Sequence, residues 1–439
     1  MASNKISVGL ISLGCPKNQV DAERILAILK NKNFEISTSY DYCDIIIINT
    51  CAFIESAKQE SINEILSVCD LKNINKKLKL IVVTGCLAQR YKEELKLLIP
   101  EVDIVVGLGA NKDIANLILK GLEGDKRLSF PPEDEMMICG ERVLTTPSHF
   151  AYLKIADGCN NRCTYCAIPM IRGNYRSVPM ELLIKEAQEL AGRGVKELNI
   201  VAQDVTYYGF DLYKKLALPE LLKKLSEISG IEWIRLLYCY PDKITDELIE
   251  EIASNNKIVK YIDIPFQHVN NEMLKKMRRK GDKKVILDVI SKLRKKIPDI
   301  VIRSTFIVGF PGETQEQFEE LLEFVKDIKL NRLGCFKYSQ EENTPAASFE
   351  NQISQEIKDK RYEAILEAQD QVVFELHEKQ KNKKYKVLVE GYDEKSNIYY
   401  GRTYMDAPEI DEYVEFDLGE DYDYDQELPK PGDFLDIVL

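Results

Sequence analysis

The sequence predicts an α/β protein with three parts: an N-terminal parallel-sheet α/β domain, an incomplete (β/α)6 barrel, and a small C-terminal all-β barrel. Two observations lead to this fold class. Short β-branched segments alternate with amphipathic helical patterns from the start of the chain, and the alternation resumes with a longer period after Phe150. From about Tyr385 the helical patterns end and only short strand patterns follow.

Residues 1–120 form the first predicted domain. Four strand patterns lie there, KISVGLISLG, DIIIINT, LKLIVVTG and VDIVVGLG, and amphipathic stretches separate them. Alternating strands and helices build a parallel sheet with helices on its faces. Residues 121–148 are rich in glycine, proline and charge and have no periodicity, so they are predicted to be a linker.

Residues 149–375 are predicted to form the barrel. Six strand patterns, from AYLKIADG to GCFKYSQ, alternate there with helical patterns. Six β/α units fit a barrel that is incomplete. Residues 376–439 are predicted to be the small all-β domain.

The composition narrows the cellular setting and the kind of metal site. The longest apolar stretches, such as Ile45–Ile48, are too short to span a bilayer, and the N-terminus lacks the pattern of a signal peptide. We therefore expect a cytoplasmic protein without membrane association. The chain has 11 cysteines and 3 histidines, an odd thiol count that argues against a disulfide framework and favours thiolate-only metal ligation.

Three cysteines with C-x3-C-x2-C spacing follow the first barrel strand: Cys159, Cys163 and Cys166 in CNNRCTYC. Three thiolates so close together can bind one face of a [4Fe–4S] cluster, which needs four ligands. No fourth cysteine follows nearby, and the next one is Cys239. One iron would therefore stay open for a substrate, as in catalytic metal sites. A structural zinc site is the alternative, and it needs a fourth soft ligand.

This motif resembles that of the radical SAM superfamily. In that family the open iron binds the amino and carboxylate groups of S-adenosylmethionine (SAM), and electron transfer cleaves SAM to a 5′-deoxyadenosyl radical. The resemblance implies that Tyr165, the aromatic residue before the last cysteine, shields the cluster and approaches the adenine.

Further residues at strand ends lie on the face where barrel active sites form. Gly309 to Glu313 read GFPGE and look like the family's glycine-rich SAM-binding turn, although an ordinary βα turn has the same composition. Polar pairs at equivalent strand ends are interpreted as ligand contacts, with a structural histidine as the alternative for His268. The predicted cofactor-binding residues are Tyr165, Gln203, Asp204, Gln267, Gly309, Gly312 and Glu313.

A second set of cysteines, Cys15, Cys51 and Cys86, is spaced by 36 and 35 residues and ends three consecutive predicted strands. The ends of parallel strands converge at one edge of a sheet, so the three thiolates are predicted to meet there. Chance placement of three buried cysteines is the alternative. The remaining cysteines fit no set and are interpreted as small apolar residues: Cys43, Cys69, Cys139, Cys239 and Cys335.

Four segments together, SLGCPKNQVDAE, INTCAFIESA, VVTGC and KIADGCNNRCTYCAIPMIRGNYRS, resemble the methylthiotransferases over essentially the whole chain. That family joins an N-terminal cluster domain, a radical SAM barrel and a C-terminal TRAM barrel. The resemblance implies two [4Fe–4S] clusters, one on each cysteine set, and conversion of C–H to C–S–CH3. One SAM would donate the methyl group and a second would supply the radical, so no side chain is assigned as a catalytic residue.

Two positions depart from the family pattern. The family's Gly-Thr-Pro-Ala turn reads Asn343-Thr344-Pro345-Ala346 here, and asparagine tolerates left-handed backbone, so we expect the turn to persist. Glu412 stands where the family usually has glycine, which leaves the form of that hairpin open.

The substrate is predicted from one motif and from the charge pattern. Pro16-Lys17-Asn18 resembles the branch that modifies an aspartate β-carbon of ribosomal protein S12, whereas the branch that modifies tRNA usually has Gln-Met-Asn there. Residues 383–439 carry 16 acidic and 6 basic side chains, a balance of −10, which would repel phosphates and attract a basic ribosomal protein. A merely solvated acidic face is the alternative. Residues 275–280, KKMRRK, form a basic run that could contact RNA or be a solvated helix face.

We therefore expect a methylthiotransferase whose partners are S12, free or in the 30S subunit, and an external electron donor. tRNA adenosine is the alternative substrate. Two other classes stay open: a two-cluster electron carrier without a substrate, and a ribosome-assembly or RNA-binding protein with structural clusters. The open-iron motif and the barrel argue against the carrier.

Overall fold

The computed structural model describes residues 5–126, 128–136, 138–418 and 427–439. Within these ranges the first sheet has six parallel strands: β1 (Ser7–Ser12), β2 (Glu35–Ile36), β3 (Ile45–Thr50), β4 (Leu80–Gly85), β5 (Ile104–Val106) and β6 (Leu128–Ser129). The helices that accompany it are α1 (Pro16–Asn31), α2 (Glu55–Ile74), α3 (Cys86–Tyr91), α4 (Glu93–Leu98) and α5 (Ile114–Leu122). The strand order is β2-β1-β3-β4-β5-β6, which confirms the predicted parallel sheet.

The two edge strands of this sheet are too short to leave a periodic pattern in the sequence. β2 pairs with β1, and β6 pairs with β5 through Leu128 and Ser129. β6 lies inside residues 121–148, which composition indicated to be a linker, so part of that segment extends the first sheet. A two-residue strand shows no alternation of apolar and polar positions, and this explains why the pattern did not reveal it.

The second sheet is an incomplete barrel, as predicted. The strands of this region are β7 (Phe150–Lys154), β8 (Ala156–Asp157), β9 (Arg176–Ser177), β10 (Glu197–Val201), β11 (Trp233–Leu236), β12 (Ile258–Asp263), β13 (Val301–Val308) and β14 (Arg332–Lys337). The barrel strands run parallel in the order β14-β13-β12-β11-β10-β7. β8 and β9 form a separate antiparallel pair that brackets the loop with the C-x3-C-x2-C motif.

Helices alternate with the strands of this region, and most of them pack their apolar side chains into its core. They are α6 (Ile168–Arg172), α7 (Met180–Gly192), α8 (Phe210–Tyr213), α9 (Leu218–Ser226), α10 (Asp246–Ser254), α11 (Asn271–Lys276), α12 (Lys283–Lys296), α13 (Gln315–Ile328) and α14 (Gln355–Glu378). Side-chain caps from Thr245, Asp282 and Thr314 begin α10, α12 and α13. α14 runs across the boundary predicted between residues 375 and 376. No helix in the described ranges is both long enough and apolar enough to cross a membrane.

The C-terminal region is an antiparallel sheet, which agrees with the predicted all-β class. It contains β15 (Lys384–Asp393), β16 (Ile398–Arg402), β17 (Val414–Phe416) and β18 (Phe434–Val438). The order is β17-β16-β15-β18. Glu412 is exposed two residues before β17, which pairs with β16. Residues 419–426 hold four of the acidic side chains of the tail and lie outside the described residues.

A buried ionic network attaches the C-terminal sheet to the N-terminal ends of the barrel strands. Glu197, at the start of β10, pairs with Arg402 at 2.7 Å and with Arg235 at 2.8 Å. Glu390 of β15 pairs with Arg402 at 2.6 Å and with His149 at 2.7 Å. Burial would raise the pKa of Glu197, but the two guanidinium groups outweigh burial and lower it. The opposite, C-terminal ends of the strands are left for the cysteine loop and its neighbours.

Arg142 joins the first domain to the barrel. α1 packs against β7, the edge strand of the barrel sheet. The Arg142 guanidinium contacts Glu23 of α1 at 2.5 Å, Glu186 of α7 at 2.7 Å and the backbone carbonyl of Tyr152 at 2.7 Å. All three charged side chains are buried. The segment predicted to be a linker therefore carries a central contact between the two domains.

We expect Arg142→Ala to destabilise this junction. The change leaves Glu23 and Glu186 buried without the guanidinium that joins them, and breaking a buried ion pair costs about 3–5 kcal/mol. A thermal melt should show a lower Tm, and limited proteolysis should cut residues 121–148 sooner. The matched control is Lys185→Ala on α7, because Lys185 pairs with Glu189 in solvent; it should change stability by less than about 0.5 kcal/mol. Equal melting of Arg142→Ala and the unchanged protein would contradict this role.

Candidate active site

The cysteines of the first domain lie at the C-terminal ends of adjacent parallel strands. Cys15 stands between β1 and α1, Cys51 follows β3, and Cys86 begins α3 directly after β4. β1, β3 and β4 are neighbours, so their ends bring the three thiols to one edge of the sheet. Gly14 has a φ of +93°, and a Cβ at this position would lie 2.8 Å from Cys51 Sγ. Glycine therefore lets the two strand ends approach closely.

Asn18, in the first turn of α1, fixes the ends of β1 and β3 to each other. Its amide nitrogen donates to the carbonyl of Leu13 at 2.7 Å and to the carbonyl of Thr50 at 3.2 Å. Its amide oxygen accepts a hydrogen bond from Arg172 at 3.3 Å. One side chain thus positions the two strand ends that carry Cys15 and Cys51.

The three thiols influence one another's ionisation. Burial, together with the nearby Cys86 and Cys15, raises the pKa of Cys51 to about 12. Burial also raises the pKa of Cys86, and Arg172 partly offsets the rise. At Cys15 the effect of burial is outweighed by Lys17 and Arg172, so the pKa of this thiol is lowered. The mutual effects mean that the thiols share one site, where metal binding would release protons.

The other three cysteines, Cys159, Cys163 and Cys166, lie in the loop between β8 and β9, beyond the C-terminal end of β7. Burial raises the pKa of Cys159 to about 11, and burial raises that of Cys166 further still. Cys163 adds to both shifts, so these thiols also lie near one another. Arg279 Nη1 is 3.9 Å from Cys163 Sγ.

Asp204 anchors this cysteine loop. Its carboxylate accepts hydrogen bonds from Asn161 Nδ2 at 2.8 Å and from Thr206 Oγ1 at 2.6 Å, and it pairs with Lys243 at 3.0 Å. Asn161 Nδ2 is also 3.6 Å from Cys159 Sγ. The Asp204 carboxylate, which the sequence predicts to contact the cofactor, is thus hydrogen-bonded to protein groups. Through these bonds Asp204 positions the cysteine loop.

The turn from Gly309 to Glu313 is held from inside the protein. Gly309 and Gly312 have φ values of +72° and +74°, which favour glycine. Glu313 Oε2 accepts hydrogen bonds from the Gly309 amide at 2.6 Å and from Arg361 at 2.5 Å. Glu313 Oε1 lies 3.1 Å from His268 Nε2. Both carboxylate oxygens are thus engaged, and Glu313 shapes the turn.

His268 takes the structural role that the sequence left open. Its Nδ1 accepts hydrogen bonds from the backbone amides of Val269 and Asn270, both at 2.9 Å. The Nε2 atom therefore carries the hydrogen and donates a hydrogen bond to Glu313 Oε1. This arrangement fixes the loop after β12 to the turn after β13.

Three other predicted contacts lie at the same end of the barrel. Gln203 Nε2 donates to Asp157 at 3.4 Å, and Gln203 Oε1 is buried without a hydrogen-bond partner in the described ranges. Gln267 has a φ of +73° and extends the sheet by pairing with Phe306. Tyr165 packs on a cluster of methionine and aromatic side chains. The unpaired Oε1 of Gln203 offers an acceptor to a ligand amine.

Three family models match the chain. The Uncharacterized protein family UPF0004 matches residues 7–107, the Radical SAM superfamily matches residues 153–325, and the TRAM domain matches residues 383–438. These ranges cover β1 to β5 of the first sheet, most of the barrel up to β13, and the C-terminal sheet.

Curated relatives match nearly the whole length. The ribosomal protein uS12 methylthiotransferase RimO of Clostridium botulinum (strain Eklund 17B / Type B) is 53% identical over 415 residues, which cover 94% of this chain and 92% of the relative. The protein of the same name from Thermoanaerobacter sp. (strain X514) is 49% identical over 430 residues, which cover 98% and 96%. This chain belongs to the ribosomal protein uS12 methylthiotransferase family. The resemblance to the S12 branch is confirmed.

Solved structures agree in fold. The radical S-adenosylmethionine methyltransferase TsrM from Kitasatospora setae, with cobalamin and a [4Fe-4S] cluster bound, superposes with a TM-score of 0.61 at 13% identity. The match covers 78% of this chain and 77% of TsrM. The cobalamin-dependent S-adenosylmethionine radical enzyme OxsB superposes with a TM-score of 0.53 at 14% identity, over 83% of this chain and 56% of OxsB.

The cofactors of a uS12 methylthiotransferase are SAM and two [4Fe–4S] clusters, and the residues present fit them. Each site offers three thiols, and a [4Fe–4S] cluster bound by three leaves one iron open. A structural zinc site, the alternative that the sequence leaves open, needs a fourth soft ligand beside the three thiols of a set.

Arg172 connects Cys86 of the first set to Asp157, which lies two residues before Cys159, and no local sequence pattern reveals this contact. Arg172 is buried at the end of α6, shortly after the C-x3-C-x2-C motif. Arg172 Nη2 is 3.6 Å from Cys86 Sγ, and Nη1 is 2.9 Å from carboxylate oxygens of both Asp21 and Asp157. Lys154 pairs with the same two carboxylates. The sequence signal that points to Arg172 is its position in IPMIRGNYRS, the segment that follows the C-x3-C-x2-C motif.

The remaining cysteines stay apart from both sites. Four are buried and one is half-buried, as suits small apolar residues: Cys43, Cys69, Cys239 and Cys335, and Cys139.

We expect each cysteine set to hold one cluster independently of the other. Replacing either set by three alanines should leave about four of the eight iron atoms after anaerobic reconstitution. Iron and sulfide analysis, with circular dichroism to confirm folding, measures this. Cys69→Ala, at a buried cysteine outside both sets, is the control and should keep all the iron. A folded triple variant with a full complement of iron would show that the assignment of that set is wrong.

Proposed function

We propose that this protein converts a C–H bond to C–S–CH3 at the β-carbon of an aspartate in ribosomal protein uS12. The observation that carries the proposal is identity of 53% and 49%, over nearly full length, to enzymes of that name. The closeness of the two thiol sites also supports the proposal. Arg172 contacts Cys86 of the first set and Asp157, which lies two residues before the second set begins.

We infer that each set of three cysteines binds one cluster through its thiolates. When bound, SAM and the clusters supply the methylthio group and the radical that abstracts the substrate hydrogen. An unactivated C–H bond has no acidic proton, so a side-chain base cannot perform this step. The proposed cluster ligands are Cys15, Cys51 and Cys86 for one cluster, and Cys159, Cys163 and Cys166 for the other.

The side chains of the protein bind and orient SAM and the substrate, and they exclude water from the site. Among the proposed SAM contacts, Gln203 offers an unpaired acceptor and Tyr165 an apolar wall. The turn that contains Gly309 and Gly312 allows close approach of the backbone. Behind these groups, Asp204, Glu313 and Gln267 hold the loops in place. Four of the six thiols are buried and Cys15 and Cys166 are half-buried, which limits the access of bulk water to the proposed cluster sites.

The charge of the C-terminal domain favours a basic protein substrate over RNA. Asp393 and Glu415 line a pocket of about 440 Å³ together with Tyr392, Tyr400 and Tyr413. Carboxylates and aromatic faces attract lysine and arginine side chains, whereas the same carboxylates repel phosphates. This domain packs on the end of the barrel opposite the cysteine loop, so a substrate that touches both must be large.

The direct experiment uses anaerobically reconstituted protein with SAM, sulfide and a reductant. We expect mass spectrometry to find SCH3 in place of H on the aspartate of a peptide from the uS12 loop, and no change in hypomodified tRNA. The variant Cys86→Ala should lose the modification because it lacks a proposed cluster ligand. Cys69→Ala should keep it, since this thiol lies outside both sites.

Modification of tRNA alone would exclude uS12 as the substrate. Formation of 5′-deoxyadenosine with neither substrate modified would uphold the radical chemistry and assign it to another substrate. Modification of the peptide by Cys86→Ala would remove this residue from the proposed cluster site.

A further inference from the structure

An open pocket of about 580 Å³ adjoins the loop that carries the second cysteine set. One wall comes from the cysteine loop, through Asn161 and Arg162, and the other comes from the segment that begins at α11. This segment includes the basic run that the sequence left without a function. The cations in the wall are Arg162, Lys275, Arg278, Arg279 and Lys280.

Most of this positive charge is not neutralised. Lys275, Arg278 and Lys280 are exposed, and no carboxylate of the described residues lies within ion-pair distance of them. The wall also contains Asp282, whose carboxylate caps α12 by accepting a hydrogen bond from the amide of Val285 at 3.0 Å. The pocket is therefore a basic surface on a chain whose net charge is −12.

The pocket is separated from a proposed cluster ligand by a single side chain. Arg279 is buried in its wall, with Nη1 at 3.9 Å from Cys163 Sγ and the guanidinium 4.1 Å from the centre of the Tyr240 ring. Arg162 is exposed and directly precedes Cys163 in the chain. A partner in this pocket would thus stand next to the cluster that cleaves SAM.

We propose that this pocket docks an acidic electron-carrier protein. The proposal rests on the proposed function in one respect only, namely that the reaction needs an electron. Reductive cleavage of SAM consumes one electron for each SAM cleaved. The carrier gives that electron to the cluster on Cys159, Cys163 and Cys166 and leaves oxidised by one electron. Electron-transfer partners form small, weak interfaces, which suits a pocket of this size.

The position of the pocket favours a carrier over ribosomal RNA. Phosphates would also be attracted to these cations, but an electron donor has to approach the cluster ligands, which this pocket adjoins, whereas RNA has no such need. The acidic remainder of the protein repels an acidic carrier, so the basic pocket would steer the carrier to the productive place.

The test compares two triple variants of the holoenzyme that remove the same charge. The pocket variant is Lys275→Gln/Arg278→Gln/Lys280→Gln. The control is Lys284→Gln/Lys295→Gln/Lys326→Gln, at exposed lysines that do not line the pocket. Stopped-flow absorbance follows the bleaching of the clusters by a reduced flavodoxin, and photoreduction with neutral deazariboflavin gives a reference rate that needs no docking.

We expect the pocket variant to be reduced by flavodoxin at least about tenfold more slowly at low salt, relative to its deazariboflavin rate. The difference should shrink as salt screens the charges, and the control should match the unchanged protein. Equal rates for both triple variants would overturn the proposal. A pocket variant that keeps its flavodoxin rate and loses affinity for 30S particles would assign the pocket to RNA instead. No uS12 is present in the reduction assay, so its outcome is independent of the substrate assignment.

Discussion

Four buried charges join the first domain to the barrel beside the two sets of cysteines. Asp21 comes from α1, Lys154 and Asp157 from the barrel, and Arg172 from α6. Arg172 lies 2.9 Å from both carboxylates, and Lys154 lies 2.9 Å from Asp157. Buried charges are tolerated only when they are paired and hydrogen-bonded, so each member constrains the others. The same contacts place Cys86 beside the loop of the second cysteine set.

The two ends of the barrel contact different domains. At the N-terminal ends of the strands, Glu197 and Arg402 attach the C-terminal sheet. At the C-terminal ends, the first domain packs beside β7 and brings its thiols to the cysteine loop. The two cysteine sets therefore lie where the first domain meets the barrel, while the C-terminal sheet lies at the opposite end of the barrel.

The local sequence pattern predicts most of this fold. The features that it does not predict are short edge strands and contacts between residues far apart in the chain. Strand alternation and the strand-end positions of Cys15, Cys51 and Cys86 are local features, so the sequence reveals them. β6 is too short for a pattern, and Arg142 lies in a segment whose composition resembles a linker. Arg172 and Cys86 are 86 residues apart, and no local periodicity records such a contact. Asp204, Glu313 and His268 lie at the predicted face, but only the structure shows that protein groups occupy them.

The central claim is that two clusters occupy neighbouring sites joined by Arg172. The most direct measurement is a crystal structure of the anaerobically reconstituted protein with anomalous diffraction at the iron edge. The account predicts two separate iron clusters, one on Cys15, Cys51 and Cys86 and one on Cys159, Cys163 and Cys166, with the Arg172 guanidinium between them. A single cluster, or two clusters that open to different surfaces of the protein, would contradict it.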